Sequence, residues 1–489
     1  MRALHEPRPR RWRAAAVALV GLAGIAALLA TSPPPPARGW LEIAPQAVCA
    51  QDEVTLTWHL YDGSDAPAPR DVRIISDPAD AFDPPLDDSV LTVGSGTRVS
   101  SVRATAYVTM RSDAGAFAAF DVTGVTVMLC DELGRQFPDA SDARVEALAV
   151  EPGGATLVAV LRSTGWSRVV RLDPELGVLG EFRLPLRIRG LVVEPGGAMV
   201  AVGSPLGPND AAILAVDAEG NERWRDRAGA DDPAATLVTV AAVALDPDGD
   251  LVVAGSARTA DGFVEAFVRR YASDGTLRWE RRVAAEGPDA ADVRGAAVAV
   301  APDGTVGVSG WTAGEVAAPV TGVADAFLVT FDRAGVRAWA HQAPGRIDAG
   351  SLAVDADGRW LLVADELIAL EPDGTVAWTL AAPAAALLTH VAVTASGSVV
   401  SVYRQVVTID LPGTAGSTFL DILLRRVDRA GVVTRAWRVG SHRDERGQAL
   451  TAWPWLGPEA MVLGGVTDGD LLVPRERDQP EPFVLVSLD

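Results

Sequence analysis

From about residue 141 the chain repeats itself, and no other feature restricts its fold as much. Four segments align: residues 148–160, 243–255, 298–310 and 352–364. Each is an apolar strand, a turn rich in Asp, Pro or Gly, and a second apolar strand. An example is Val243-Ala244-Leu245-Asp246-Pro247-Asp248-Gly249-Asp250-Leu251-Val252-Val253. This pattern predicts a β-hairpin, with Gly supplying the positive φ that the turn requires. A second hairpin follows each first one: residues 267–271 lead through Ser273-Asp274-Gly275 to Trp279, and residues 326–331 through Asp332-Arg333-Ala334-Gly335 to Trp339. Two hairpins make one four-stranded antiparallel sheet.

Counting sets the number of sheets. First strands begin near residues 145, 189, 241, 296, 351, 389 and 448, but the fourth-strand aromatic recurs only at Phe182, Trp224, Trp279, Trp339, Trp378 and Trp437. Residues 483–488, at the C-terminus, match a third strand. The missing fourth strand is therefore sought upstream, where residues 131–137 have the same turn-then-aromatic spacing, ending on Phe137. Residues 135–140 are expected to complete the last sheet, which closes a ring and removes two free edges. The predicted fold class is all-β: a signal or anchor segment, a small β-sandwich, then a seven-bladed β-propeller over residues 135–489.

Gly310-Trp311-Thr312 and Asp325-Ala326-Phe327, following the Asp303-Gly304 turn, carry a family likeness. The stretch resembles the seven-bladed propeller repeats of bacterial extracytoplasmic proteins. The likeness extends over about residues 141–489, weakest in the first, second, fifth and seventh units. It implies fold more than activity.

The N-terminus carries Arg2, Arg8, Arg10, Arg11 and Arg13, then an uninterrupted apolar run from Ala14 to Ala30, then Pro33 to Pro36. Residues 1–32 read either as a cleaved signal peptide or as an uncleaved membrane anchor with arginine on the cytoplasmic side. Residues 33–38 form a proline-rich linker. Both readings place the bulk of the chain outside the cytoplasm: secreted, periplasmic or anchored. Residues 39–134 hold short alternating runs separated by turn formers and read as an immunoglobulin-like sandwich, with Trp58 as a candidate core tryptophan. The chain's two cysteines, Cys49 and Cys130, lie in this region. A disulfide is expected in an oxidising compartment; two buried free thiols are the alternative.

The net charge is −21, and every strong base is an arginine, because the chain contains no lysine. Such a surface argues against nucleic acid as a partner. None of the five histidines pairs at metal-binding spacing, and no G-x-S-x-G elbow is present. Quinone-dependent dehydrogenases share similar repeats, but adjacent cysteines of the kind many of them carry are missing. No cofactor is expected. The one weak metal candidate is calcium at Asp246, Asp248 and Asp250, whose alternate carboxylates resemble a hard-cation loop; an ordinary turn is the competing reading.

In a propeller the loops from fourth to next first strand and from second to third strand share one face. That loop face supplies the candidate ligand-binding residues: an exposed Trp311 with Asp292, Arg294, Arg346, Asp348, His442, Arg443 and Asp444. No catalytic set is assigned. The sequence supports a non-enzymatic binding or scaffold protein that docks a protein or glycan of the cell envelope. The alternatives are a hydrolase or lyase acting on polysaccharide or peptide through loop carboxylates, and an envelope-assembly factor.

Overall fold

The computed structural model describes residues 39–487 except 45–46, 50–52, 61–71, 78–80, 87–90, 92–93, 104–105, 113–120, 129–132, 138–142, 152–153, 155, 163–165, 206–210, 229–237, 287–290, 346–351, 410–416, 441–443 and 469–480. The anchor segment, the proline linker and Cys130 lie outside the described residues. No described helix is long and apolar enough to cross a membrane.

Residues 39–128 form two four-stranded sheets. One runs Gly39–Ala44, Glu53–Leu60, Gly94–Val102, Phe82–Asp83; the other runs Ala47–Cys49, Asp121–Met128, Ala106–Ser112, Val72–Asp77. The Ala47–Cys49 strand pairs parallel with Asp121–Met128. Alternation along the strands turns Leu41, Ile43, Val54 and Leu56 of one sheet and Val72, Ile74, Val108 and Met110 of the other into one shared core, as a sandwich requires. Trp58 is only half-buried and lies across the strand pair against Gly96, where a Cβ would stand 2.3 Å from its ring.

The rest is a β-propeller. Seven four-stranded sheets follow in chain order, with first strands Arg144–Val150, Leu186–Val193, Val238–Leu245, Val293–Val300, Leu352–Val354, Ala386–Val393 and Glu445–Ala452. Each first strand touches the next, and the seventh touches the first, so the ring is closed. The seventh sheet takes Glu445–Ala452, Met461–Thr467 and Glu481–Ser487 from the C-terminal end and its fourth strand, Leu133–Gln136, from upstream. Phe483 pairs with Gln136 and Leu485 with Gly134, and the Phe137 amide donates to Pro482 O at 2.9 Å. This strand begins two residues ahead of the expected position. In the other sheets the glycine sits in a turn that joins strands three and four. Here the strand arrives from the sandwich, so no turn is needed and Gly134 joins the ladder.

The fourth-strand aromatics join neighbouring sheets. Indole N–H groups donate to carbonyls in the next sheet's last turn: Trp224 to Ser273 O, Trp279 to Arg333 O, Trp339 to Pro372 O and Trp378 to Arg429 O, at 2.8–3.2 Å. Each ring covers that turn's glycine. At Gly335 the φ is +80° and a Cβ would stand 3.0 Å from Trp279, so backbone and packing both demand glycine there. The seventh sheet has no such turn, and Trp437 meets the Arg426 and Arg435 guanidinium groups at 5.9 and 5.2 Å instead.

Candidate functional site

Asp292 and Asp444 each precede a first strand, and both act as clasps. Asp292 Oδ1 accepts the Val264 amide of the preceding sheet at 3.0 Å, and its carbonyl accepts the Ala313 amide at 2.9 Å. Asp444 repeats the arrangement with Leu420 at 3.0 Å and Asp468 at 2.9 Å. Two residues further on, Arg294 and Arg446 pair with the second oxygen at 3.2 and 3.4 Å. These carboxylates hold adjacent sheets together at the loop face. Trp311 is not the exposed platform expected from sequence. It is half-buried, with the Arg294 guanidinium 5.4 Å over its ring, because Arg294 is its cross-strand partner. Arg346, Asp348, His442 and Arg443 lie outside the described residues.

Asp421, on the third strand of the sixth sheet, is buried beside Asp444. Burial pushes its pKa up to about 6, Asp444 adds to this, and the Arg438 guanidinium at 3.2 Å offsets part of it. The folded-state value lies above the ordinary 3.8, so the folded protein binds this proton more tightly than the unfolded chain. Stability from this group is present below about pH 4 and lost as pH rises through about 6. Asp421→Asn should therefore stabilise the protein at pH 8 by up to about 3 kcal/mol. Urea midpoints of both proteins across pH 4–8 measure this; a gain that persists unchanged at pH 4 rules out the linkage.

The three turn carboxylates each pair with an arginine. Asp246 Oδ2 accepts from Arg270 at 2.7 Å, and Asp250 Oδ2 accepts from Arg270 at 3.0 Å and from Arg278 at 2.8 Å. Asp248 pairs with Arg333 of the next sheet. Among the described residues no group of three or more His, Cys, Asp or Glu is placed to hold a metal ion.

The feature that the sequence reading missed lies on the ring axis. Six first strands carry a one-residue bulge at the same level, at Glu146, Arg189, Ala241, Ala296, Thr389 and Gln448. A bulge re-aims a side chain, and here it accompanies an axial cavity of about 570 Å³. Arg144, Arg189, Arg404 and Arg446 line this cavity, with Glu146 the one carboxylate among the lining residues. Arg144 pairs with Glu146 at 3.3 Å. Arg189 and Arg404 make no ion pair or hydrogen bond among the described residues. The arginines come from the sixth, seventh, first and second sheets and line one side of the mouth. A signal for two of them was present: Arg144 and Arg446 stand two residues before the bulge, as do Arg187 and Arg294, which do not line the cavity. The repeat alignment began further along these strands and passed over that position.

No protein-family profile and no curated protein matches the sequence. Among solved structures, the chain is similar to a streptogramin B lyase at 11% identity, over 72% of this chain and 97% of that one, with a TM-score of 0.44. It is similar to BamB from Moraxella catarrhalis at 15% identity, over 70% and 82%, with a TM-score of 0.36. The C-terminal WD40 domain of Sif2 matches at 10% identity, over 72% and 98%, with a TM-score of 0.42. The fold itself is established by the chain's own strand pairing.

Proposed function

We propose that this chain is a non-enzymatic binding or scaffold protein that works outside the cytoplasm and docks an acidic protein or glycan of the cell envelope on its loop face. The observation that supports this reading is the arginine-lined axial mouth on a chain of net charge −21. Positive side chains gathered at a recess on an otherwise acidic surface focus the local field and steer an anionic group toward it. Beside the mouth, the second and third strands of the sixth sheet, Val399–Ile409 and Ser417–Val427, run 11 residues each, against seven each in the fourth. This longer arm, with exposed Leu387 and Val406 at its base, gives a partner an edge and an apolar contact. The sandwich, read as immunoglobulin-like, serves as a spacer. Hydrolysis through loop carboxylates has less support: it needs two carboxyl groups facing a cleft, and Asp292 and Asp444 are engaged with backbone amides.

The test compares residues 39–489, immobilised, with the Arg144→Ala/Arg189→Ala/Arg404→Ala/Arg446→Ala variant as baits for an envelope extract. A partner held by the first, lost by the folded variant and released by salt is the expected result. Equal retention on both, or none on either, overturns the reading.

A further inference from the structure

In the first four sheets the residue three places before the bulge is Ala143, Leu186, Val238 or Val293, each buried and apolar. In the seventh sheet it is Glu445, which is just as deeply buried. Glu445 pairs across the ladder with Thr467, and Thr467 with Glu481, so the three side chains share one face of the sheet. Gln136 joins them from the closing strand, opposite Phe483, whose side chain lies on the same face as that of Glu481. Thr467 Oγ1 donates to Glu445 Oε1 at 2.9 Å, and Gln136 Nε2 donates to Glu481 Oε2 at 2.6 Å. All four residues stand at the loop-face ends of their strands. A buried glutamate where the other sheets place an apolar residue breaks the local rule, and such breaks mark function.

Two oxygens of this cluster have no hydrogen-bond partner among the described residues: Glu481 Oε1 and Gln136 Oε1. Glu481 is 1% exposed and Gln136 8%. In the fourth sheet, where Val293 stands in place of the glutamate, the equivalent oxygens are satisfied. Asp325 accepts from Thr321 and Gln342, and Gln342 Oε1 accepts the Val316 amide at 2.8 Å. The seventh sheet thus carries an added carboxylate beside two oxygens left without donors. The side-chain hydrogen bond that Glu481 receives comes from a neutral amide, so its buried charge calls for a cation. Neither oxygen is open to water, which also shuts out an organic group. A bare cation approaches oxygen to about 2.4 Å, closer than a water molecule does. We infer that Glu445, Thr467, Glu481 and Gln136 bind a calcium-class divalent cation, which ties the first three strands of the seventh sheet to the closing strand. Two carboxylates, an amide oxygen and a hydroxyl supply about four to six hard oxygen ligands, a set that suits calcium. The ion enters from the loop face as the two carboxylates part.

Equilibrium dialysis of the full-length chain, freed of metal with EDTA, against radioactive calcium tests this without any variant. A saturable site should fill at about 1 mM calcium or below, the range of extracellular calcium modules. Glu445→Val, which copies the residue at position 293, and Glu481→Gln should each weaken that binding about tenfold or more, with circular dichroism showing the fold retained. Calcium should raise the thermal midpoint of the wild type and leave that of Glu445→Val unchanged. An acidic surface collects calcium by itself, so equal binding by the wild type and both variants overturns the inference. So does the absence of a saturable site in the wild type at about 5 mM calcium. If one variant fails to fold, the other decides by the same comparison.

Discussion

Arg270→Met should destabilise the protein by about 3–5 kcal/mol, the cost of stripping one partner from a buried ion pair. Arg270 lies on the third strand of the third sheet and is 4% exposed. Its Nη2 donates to Asp246 Oδ2 at 2.7 Å, its Nε to Asp250 Oδ2 at 3.0 Å, and its Nη1 to Arg333 O at 3.3 Å. The Asp246 side chain is fully buried, so its charge has no solvent to replace the guanidinium. Asp250 keeps Arg278 and suffers less. Methionine preserves much of the side-chain volume, so the loss reads electrostatics more than packing. Guanidinium chloride is ionic and would mask the effect, so urea unfolding of residues 39–489 is the measurement. A loss under about 1 kcal/mol would mean that water reaches Asp246 and the pair is not dry.

Trp360→Ala should cost about 3–5 kcal/mol, through lost burial and the cavity left behind. The fifth sheet is the smallest, with strands Leu352–Val354, Trp360–Val363, Glu366–Leu370 and Val376–Ala381. Trp360, 1% exposed, fills the space between this sheet and the fourth. Its ring lies so close to Gly307 that a Cβ there would stand 2.3 Å from Cζ3. Gly307→Leu alone should therefore destabilise by overpacking. Combined with Trp360→Ala, it should recover part of the loss, because the new side chain enters the vacated volume. Thermal midpoints of the two single variants and the double variant decide this. Strictly additive losses would show that the two residues do not share a space.

The ring was legible in the sequence because each repeat carries its own turn chemistry. Glycines such as Gly249, Gly304 and Gly358, all at positive φ, mark the first turns, and Gly275, Gly335, Gly374 and Gly431 mark the second. The closing strand was legible from a shortage: one sheet had three strands and one stray strand had no sheet. What could not be read depends on residues distant in the chain. Asp246, Asp248 and Asp250 have cation-loop spacing, and only the fold brings Arg270, Arg278 and Arg333 onto them. Asp292 and Asp444 resemble free loop carboxylates until the preceding sheet presents the Val264 and Leu420 amides. The bulges that accompany the axial cavity have no composition signal of their own, since Glu146, Arg189, Ala241 and Gln448 share no chemistry.

A circle sealed by its own two ends also dictates an order of events during synthesis. Gln136 and Glu481 meet in a buried hydrogen bond of 2.6 Å although 345 positions separate them. The upstream half of that seam is made first and must wait, unmatched, until the strand Glu481–Ser487 has appeared. Its brevity is protective in the interval: Leu133–Gln136 is four residues long, too few backbone groups to recruit a stranger's strand. The same brevity makes this seam the natural place for the finished circle to part first when it is pulled or heated.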